Sequence, residues 1–212
     1  ELAAVLFGLS EPCSGQMKLL GKTYRPCSQR QAIEAGVFLC PKDRANNAVV
    51  HVFDITKNIT LPFLNRHATF SFLNSRSEHA TAQRTIPKLG IECKRDTEDM
   101  GRLADGSQQK VMIDRWLAEK SNDLILDEPF QGVDIKARRD IGHKIRETAV
   151  GRATLVLVAE MDEALEIADR ILVMFDHTVI GDHRNQDIDL KLVLAQVAGQ
   201  QSEQTGSTEY AI

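Results

Sequence analysis

Apolar and polar positions fall along this chain in blocks that read as the elements of an α/β protein. The sharpest block is Asp123-Leu-Ile-Leu-Asp127-Glu128-Pro129, a short apolar run that meets two carboxylates and stops at a proline. That pattern predicts a strand buried on both faces. A helix over 135–149, a strand over 153–158, a helix over 161–168 and a strand over 170–175 follow in order. Strand–helix–strand alternation with short turns predicts a parallel sheet with right-handed crossovers. A turn-back near Asp176-His177 and a helix over 189–198 close the pattern, and the polar stretch 200–212 is expected to fray.

Upstream, the pattern predicts a helix over 1–8 that stops at Gly8, and a strand over Gln16–Leu20 before a Gly21-Lys22-Thr23 turn. Ser28 caps a helix that runs through Ala35 to a stop at Gly36. Val37–Cys40 reads as a short buried strand ended by Pro41. Residues 42–75 read as mixed and irregular. A helix from Ser75 to about Leu89 should kink or end at Pro87, and the acidic stretch 91–102 reads as a loop. Ser107–Glu119 is strongly amphipathic, with Val111, Ile113, Trp116 and Leu117 on its apolar face, so Trp116 is expected in the core.

Composition bounds the function. The 212 residues are 42% hydrophobic, enough for a core, and no apolar run approaches the length needed to cross a bilayer. The net charge of −4, from 26 basic and 30 acidic residues, gives no global attraction to nucleic acid or anionic lipid. Cys13, Cys27, Cys40 and Cys93 form no close pair and no metal-type spacing, which fits a reduced cytoplasmic setting. The six histidines show no metal-type spacing with one another either. The first residues already read as the middle of an apolar helix, so this chain is expected to be a piece of a longer one.

The chemistry-bearing pattern is the pair of acids at the end of the 123–127 strand. Open α/β sheets bind ligands at the C-terminal edge of their strands. There Asp127 can hold a cation and Glu128 can position or deprotonate a water. The alternative is a strand ending in two solvated acids.

Three further stretches occur in a telling order: Leu103-Ala-Asp-Gly-Ser-Gln-Gln-Lys110 before the acids, Gln131-Gly-Val-Asp134 after them, and Ala168-Asp-Arg-Ile-Leu-Val-Met174 further on. With Pro41-Lys-Asp-Arg44, they resemble the ATPase subunit of bacterial ABC importers for monosaccharides (the ribose, galactose, arabinose and xylose type), specifically its C-terminal ATPase domain. The resemblance covers roughly residues 1–199. It implies a RecA-like parallel-sheet P-loop NTPase core with an inserted helical ABC subdomain at about 54–120, and a polar tail over 200–212. It also implies ATP and Mg²⁺ as cofactors, with Asp127 on the metal and Glu128 as the catalytic residue acting on the attacking water. The signature residues Leu103, Ala104, Asp105, Gly106, Ser107, Gln108 and Gln109 would face the nucleotide of a second ATPase domain, either the upstream half of the same subunit or another copy. The other implied partners are a membrane permease and, indirectly, a periplasmic sugar-binding protein, with no nucleic acid. The implied location is peripheral, on the cytoplasmic face of the inner membrane.

Several residues depart from the family pattern or read two ways. Asp134 resembles the aspartate that crosses the domain interface, and its spacing equally suits the N-cap of the next helix. Lys42 stands where most of the family carries glutamine; it could pair with phosphate, would repel Mg²⁺, or could be a solvated loop lysine. Ala104 and Asp105 replace a Ser-Gly pair. Ala104 removes a hydroxyl, and Asp105 sets a carboxylate where phosphate should approach. Like charges about 4 Å apart cost about 4 kcal/mol at an effective dielectric near 20. Ala159-Glu160 takes the place of a switch histidine, and Phe130 is expected to add an apolar face beside the acids. The phosphate loop is missing, since Gly15 to Gly21 has one residue too many for G-x-x-x-x-G-K-[ST] and its filling suits a strand. By resemblance the true loop would end just before Glu1.

Two other functions compete: a pairing domain that closes around nucleotide without hydrolysing it, and a soluble ABC ATPase of DNA maintenance. Two outcomes are expected from the sequence. In a coupled assay this chain alone is a poor ATPase, and robust Glu128-dependent turnover would count against that. In the full-length subunit, Asp105→Gly should tighten ATP-dependent pairing, as read by nucleotide titration; unchanged pairing would refute the charge argument.

Overall fold

Two parallel partners flank the 123–127 run, which makes it a central strand, as its two-faced burial requires. A computed structural model of the chain describes residues 1–70 and 72–200. The 200–212 tail therefore lies, from residue 201 onward, outside the described residues. In chain order the elements are α1 (Leu2–Leu6), the two-residue strands β1 (Lys18–Leu19) and β2 (Lys22–Thr23), α2 (Gln29–Glu34) and β3 (Val37–Cys40). Then come α3 (Arg44–Asn47), α4 (Ile55–Thr60), the short strands β4 (Ala68–Thr69) and β5 (Phe72–Leu73), α5 (Ser75–Leu89) and α6 (Asp105–Leu117). The remainder is β6 (Asp123–Asp127), α7 (Ile135–Glu147), β7 (Ala153–Leu157), α8 (Met161–Ile167), β8 (Arg170–Phe175), β9 (Thr178–Arg184) and α9 (Leu190–Val197).

By compactness the chain divides into two units. One comprises Glu1–Gln16 and Tyr24–Leu157; the other comprises Met17–Thr23 and the residues from Val158 onward. The first holds a parallel sheet of order β3-β6-β7. Cys40 pairs with Leu126, and Asp127 pairs with Leu157. Leu124, Ile125 and Leu126 are almost fully buried, as is all of β3. Against β3 sits an aromatic cluster in which Trp116 of α6 stacks on Phe38 at 5.1 Å, with Phe7 and Phe63 edge-on. Trp116 is thus a core residue, as its helical face predicts.

The region 42–75, expected to be irregular, contains the buried helix α4. Its cause is a polar hub that the hydropathy pattern does not reveal. Asp54 caps α4 by accepting from the Lys57 N–H. Asn58 donates to the carbonyls of Val50, Phe53 and Asp54. Arg115 of α6 reaches in to donate to the Asn58 carbonyl at 2.6 Å and the Ala48 carbonyl at 2.9 Å. Burial lowers the Arg115 guanidinium to about 10. Pro87 does not end α5, which runs two residues further and stops at Gly90 in the left-handed region.

The second unit departs from the expected continuous parallel sheet. The 170–175 strand forms, but its described pairing is antiparallel to β9. Asp176 and His177 both have positive φ, 45° and 61°, which lets the chain reverse at once. β8 also buries only alternate residues, Ile171 and Val173, and Val173 packs with Ile180 of β9 and Val193 of α9. The Gly21-Lys22-Thr23 stretch is half of a hairpin: Leu20 and Gly21 make the turn, with φ 50° and 76°, and Lys22-Thr23 return as β2.

Asp114 on α6 is 1% exposed, and its Oδ2 has no hydrogen-bond partner among the described residues. Burial pushes the carboxyl up to about 7, against the opposing pull of the Thr85 side chain and the Lys88, Lys144 and Arg84 charges. The folded state therefore holds this proton more tightly than the unfolded chain does, and stability is lost as pH rises from the unfolded value near 4 through about 7. Urea unfolding at pH 8 should find Asp114→Asn more stable than the parent, by on the order of 2 kcal/mol. The gap should close as the pH falls toward the ordinary carboxyl range; a pH-independent difference would exclude this cause.

Candidate functional site

Sheet register builds the site. β6 ends at Asp127, half-buried at the C-terminal edge between β3 and β7. Glu128 then leaves the strand with φ of 45°, a conformation that side chains rarely adopt. Its N–H still bonds the Leu157 carbonyl at 2.8 Å, and its own carbonyl accepts from the Gln131 N–H, so the strained backbone is held from both sides. The two acids therefore emerge at the sheet edge where the run of apolar residues predicts them.

Lys42 comes to the same place from β3. Its Nζ lies 2.6 Å from Glu128 Oε1, in an ion pair whose side chains are 49% and 25% exposed. This pairing differs from each role weighed from the sequence, since the lysine partners the catalytic candidate itself. Two residues on, Arg44 donates to the Gln131 carbonyl at 3.0 Å and lies 3.2 Å from Asp105 Oδ1. Sequence reasoning gave Arg44 no role. Its only signal was membership of the Pro41–Arg44 motif, because the groups it joins are 61 and 87 residues away. Asp105 is consequently not an isolated negative charge: Arg44 offsets part of the repulsion expected toward phosphate.

The signature stretch splits by helix geometry. Ala104 and Asp105 are exposed at the start of α6, whose N-terminus has no side-chain cap. Leu103, Ser107 and Gln109 turn inward, and Gln109 directs its amide to Cys40 Sγ. Gln108 folds back onto the Leu103 carbonyl. Gly106 is packed so closely that an added Cβ would lie 3.0 Å from the Ala137 Cβ and 3.6 Å from Asp134 Oδ2. Of these seven residues, then, only the helix start offers side chains to a ligand; the others could contribute backbone alone. Asp134 caps α7 by accepting from the Ala137 N–H at 2.9 Å, which holds its carboxyl below the usual range. That bond realises the N-cap reading. Phe130 is buried and presents no apolar face beside the acids. Ala159-Glu160 belongs to the second unit.

The residues fit a metal–triphosphate in part. Mg²⁺ is commonly held by one or two protein carboxylates, with phosphate oxygens and water completing its shell. Asp127 suits that need, and no group of three potential ligands occurs among the described residues. No phosphate-cradling loop occurs among them either, since Gly21-Lys22-Thr23 is spent on a hairpin.

Comparison with known proteins bears on the same residues. The family model described as "ABC transporter" matches residues 1–131. The ribose import ATP-binding protein RbsA 2 of Rubrobacter xylanophilus is 32% identical over 200 residues, covering 94% of this chain and 38% of its own length. The arabinose import ATP-binding protein AraG of Azospirillum brasilense is 34% identical over 201 residues, covering 92% of this chain and likewise 38% of its own length. The chain thus spans well under half the length of these relatives. Among solved structures, the ATP-binding cassette MJ1267 of an ABC transporter superposes with a TM-score of 0.75 at 19% identity, covering 93% of this chain and 81% of its own. The dimeric cassette MJ0796, bound to ADP and Pi, gives 0.74 at 15% identity, covering 88% and 80%. Those likenesses establish the fold as that of the RecA-like P-loop NTPases, and the matches in sequence establish more: this chain belongs to the ABC transporter ATP-binding family.

Proposed function

We propose that this chain is the nucleotide-binding part of an ABC importer ATPase that couples ATP hydrolysis to uptake of a monosaccharide. The observation that carries this is the pair Asp127 and Glu128, delivered side by side to the C-terminal sheet edge by a buried strand, within a chain of this family. The sugar comes from the relatives, which are named as ribose and arabinose import proteins. Transport in this reading proceeds through a membrane permease, as the import function of the relatives suggests, with a sugar-binding protein delivering the cargo. Residues 1–199 would then act as one ATPase domain in which α4, α5 and α6 form the helical subdomain, at the cytoplasmic face of the membrane.

In this reading ATP is bound with Mg²⁺, which would neutralise phosphate charge. Asp127 holds the cation, directly or through water. Glu128 accepts a hydrogen bond from the attacking water and orients it toward the phosphate. The uncapped start of α6 would face the phosphate of a second ATPase domain, with Asp105 paired to Arg44. Asp134 caps α7 next to Gly106 and would lie along the same face.

A second reading has a specific observation in its favour. The Lys42–Glu128 pair occupies the residue that hydrolysis needs, which suits a domain that pairs around nucleotide without cleaving it. One experiment separates the two. In the full-length subunit, Glu128→Gln should lower steady-state hydrolysis by about 100-fold or more and leave nucleotide binding intact. Equal hydrolysis by the parent and the variant would favour the scaffold.

A further inference from the structure

We propose that Lys42 is a positioning residue for Glu128: its ammonium, 2.6 Å from Glu128 Oε1, occupies the carboxylate while the site is empty and yields it only once metal and phosphate are both present. This rests on Glu128 being the residue that orients the attacking water.

The architecture makes the pair a fixed neighbour relation. Cys40 lies opposite Leu126 in the parallel register, so two more residues along each strand bring position 42 beside position 128. Pro41 limits the backbone between them. Glu128 is pinned by its N–H bond to Leu157 at a φ of 45°, so its carboxylate can leave the lysine only by a side-chain rotation. Lys42 has the longer stem and the more exposed side chain, which makes it the partner that moves.

Loading the site acts on that partner from two directions. A divalent cation at Asp127 stands next to Glu128 and repels an ammonium in the same place. A phosphate offers the ammonium a replacement anion. Metal and phosphate together therefore weaken the Lys42–Glu128 pair without abolishing it, so a fraction of loaded sites still has Glu128 engaged and a half-loaded site has more. A partly exposed pair of this kind changes a population by only a few-fold, so the device tempers hydrolysis without blocking it.

The test uses the full-length polypeptide and the kcat-against-KM split for ATP. Lys42→Met keeps the stem and removes the charge; it should raise kcat by about two- to fivefold and raise KM, because the replacement contact to phosphate is lost. Lys42→Arg should return both values toward the parent. A kcat that is unchanged or lower in Lys42→Met overturns the proposal. Competitive acetylation supplies a readout independent of turnover: Glu128→Gln should raise labelling of Lys42 by about threefold relative to the other lysines. If the parent hydrolyses no ATP, the proposed function fails on that result, and acetylation still decides the ion pair. Labelling that does not rise in Glu128→Gln overturns the proposal in either case.

Discussion

The constraint on which the rest depends is the burial of Leu124, Ile125 and Leu126 on both faces of one strand. A run of this kind is stable only between two partner strands and beneath covering helices. β3 and β7 supply the partners, and the Phe38–Trp116 stack ties α6 to β3. The strand cannot slip, because any shift would carry Asp123 or Asp127 into the core. Both flanking acids are therefore forced to the strand's ends, and Asp127 and Glu128 appear at the sheet edge as a consequence of packing. Function here borrows its precision from hydrophobic burial.

Around that edge the chain solves a charge problem within its own sequence. Two acids on separate segments, Glu128 after β6 and Asp105 at the start of α6, each take a cation from one turn. The turn after β3 sends out two cations, Lys42 to Glu128 and Arg44 to Asp105. Arg44 also holds the Gln131 carbonyl, so one guanidinium joins the turn after β3, the start of α6 and the loop after β6.

The helical part of the first unit is held by buried polar groups to an unusual degree. Arg115 and Asn58 satisfy one another and the 48–54 backbone, whereas Asp114, one residue away, is left with an unpartnered oxygen. The contrast follows from helix geometry. Adjacent positions on α6 point in directions about 100° apart, so one side chain reaches the α4 hub and the other faces α5 at Thr85. A satisfied buried charge rigidifies its surroundings, while an unsatisfied one makes them pH-dependent.

Much of the fold was legible along the chain. β3, β6 and β7, the caps at Ser28 and Asp134, the αL stop at Gly36 and the core role of Trp116 are local or periodic properties, and periodicity is written in sequence. The acids at the strand end, and with them the family, were legible for the same reason. α4 was not, because its burial depends on an arginine 57 residues away. The reversal at Asp176-His177 was legible, but the absence of β8 from the described β3-β6-β7 sheet was not, since a strand's own residues do not name every neighbour. The inward turn of Ser107 and Gln109 and the partners of Lys42 and Arg44 were likewise decided only by the tertiary structure. A sequence specifies which groups are charged and which face of an element each occupies. Which opposite charge then lies within ion-pair distance depends on sheet register and helix packing, which no single segment contains.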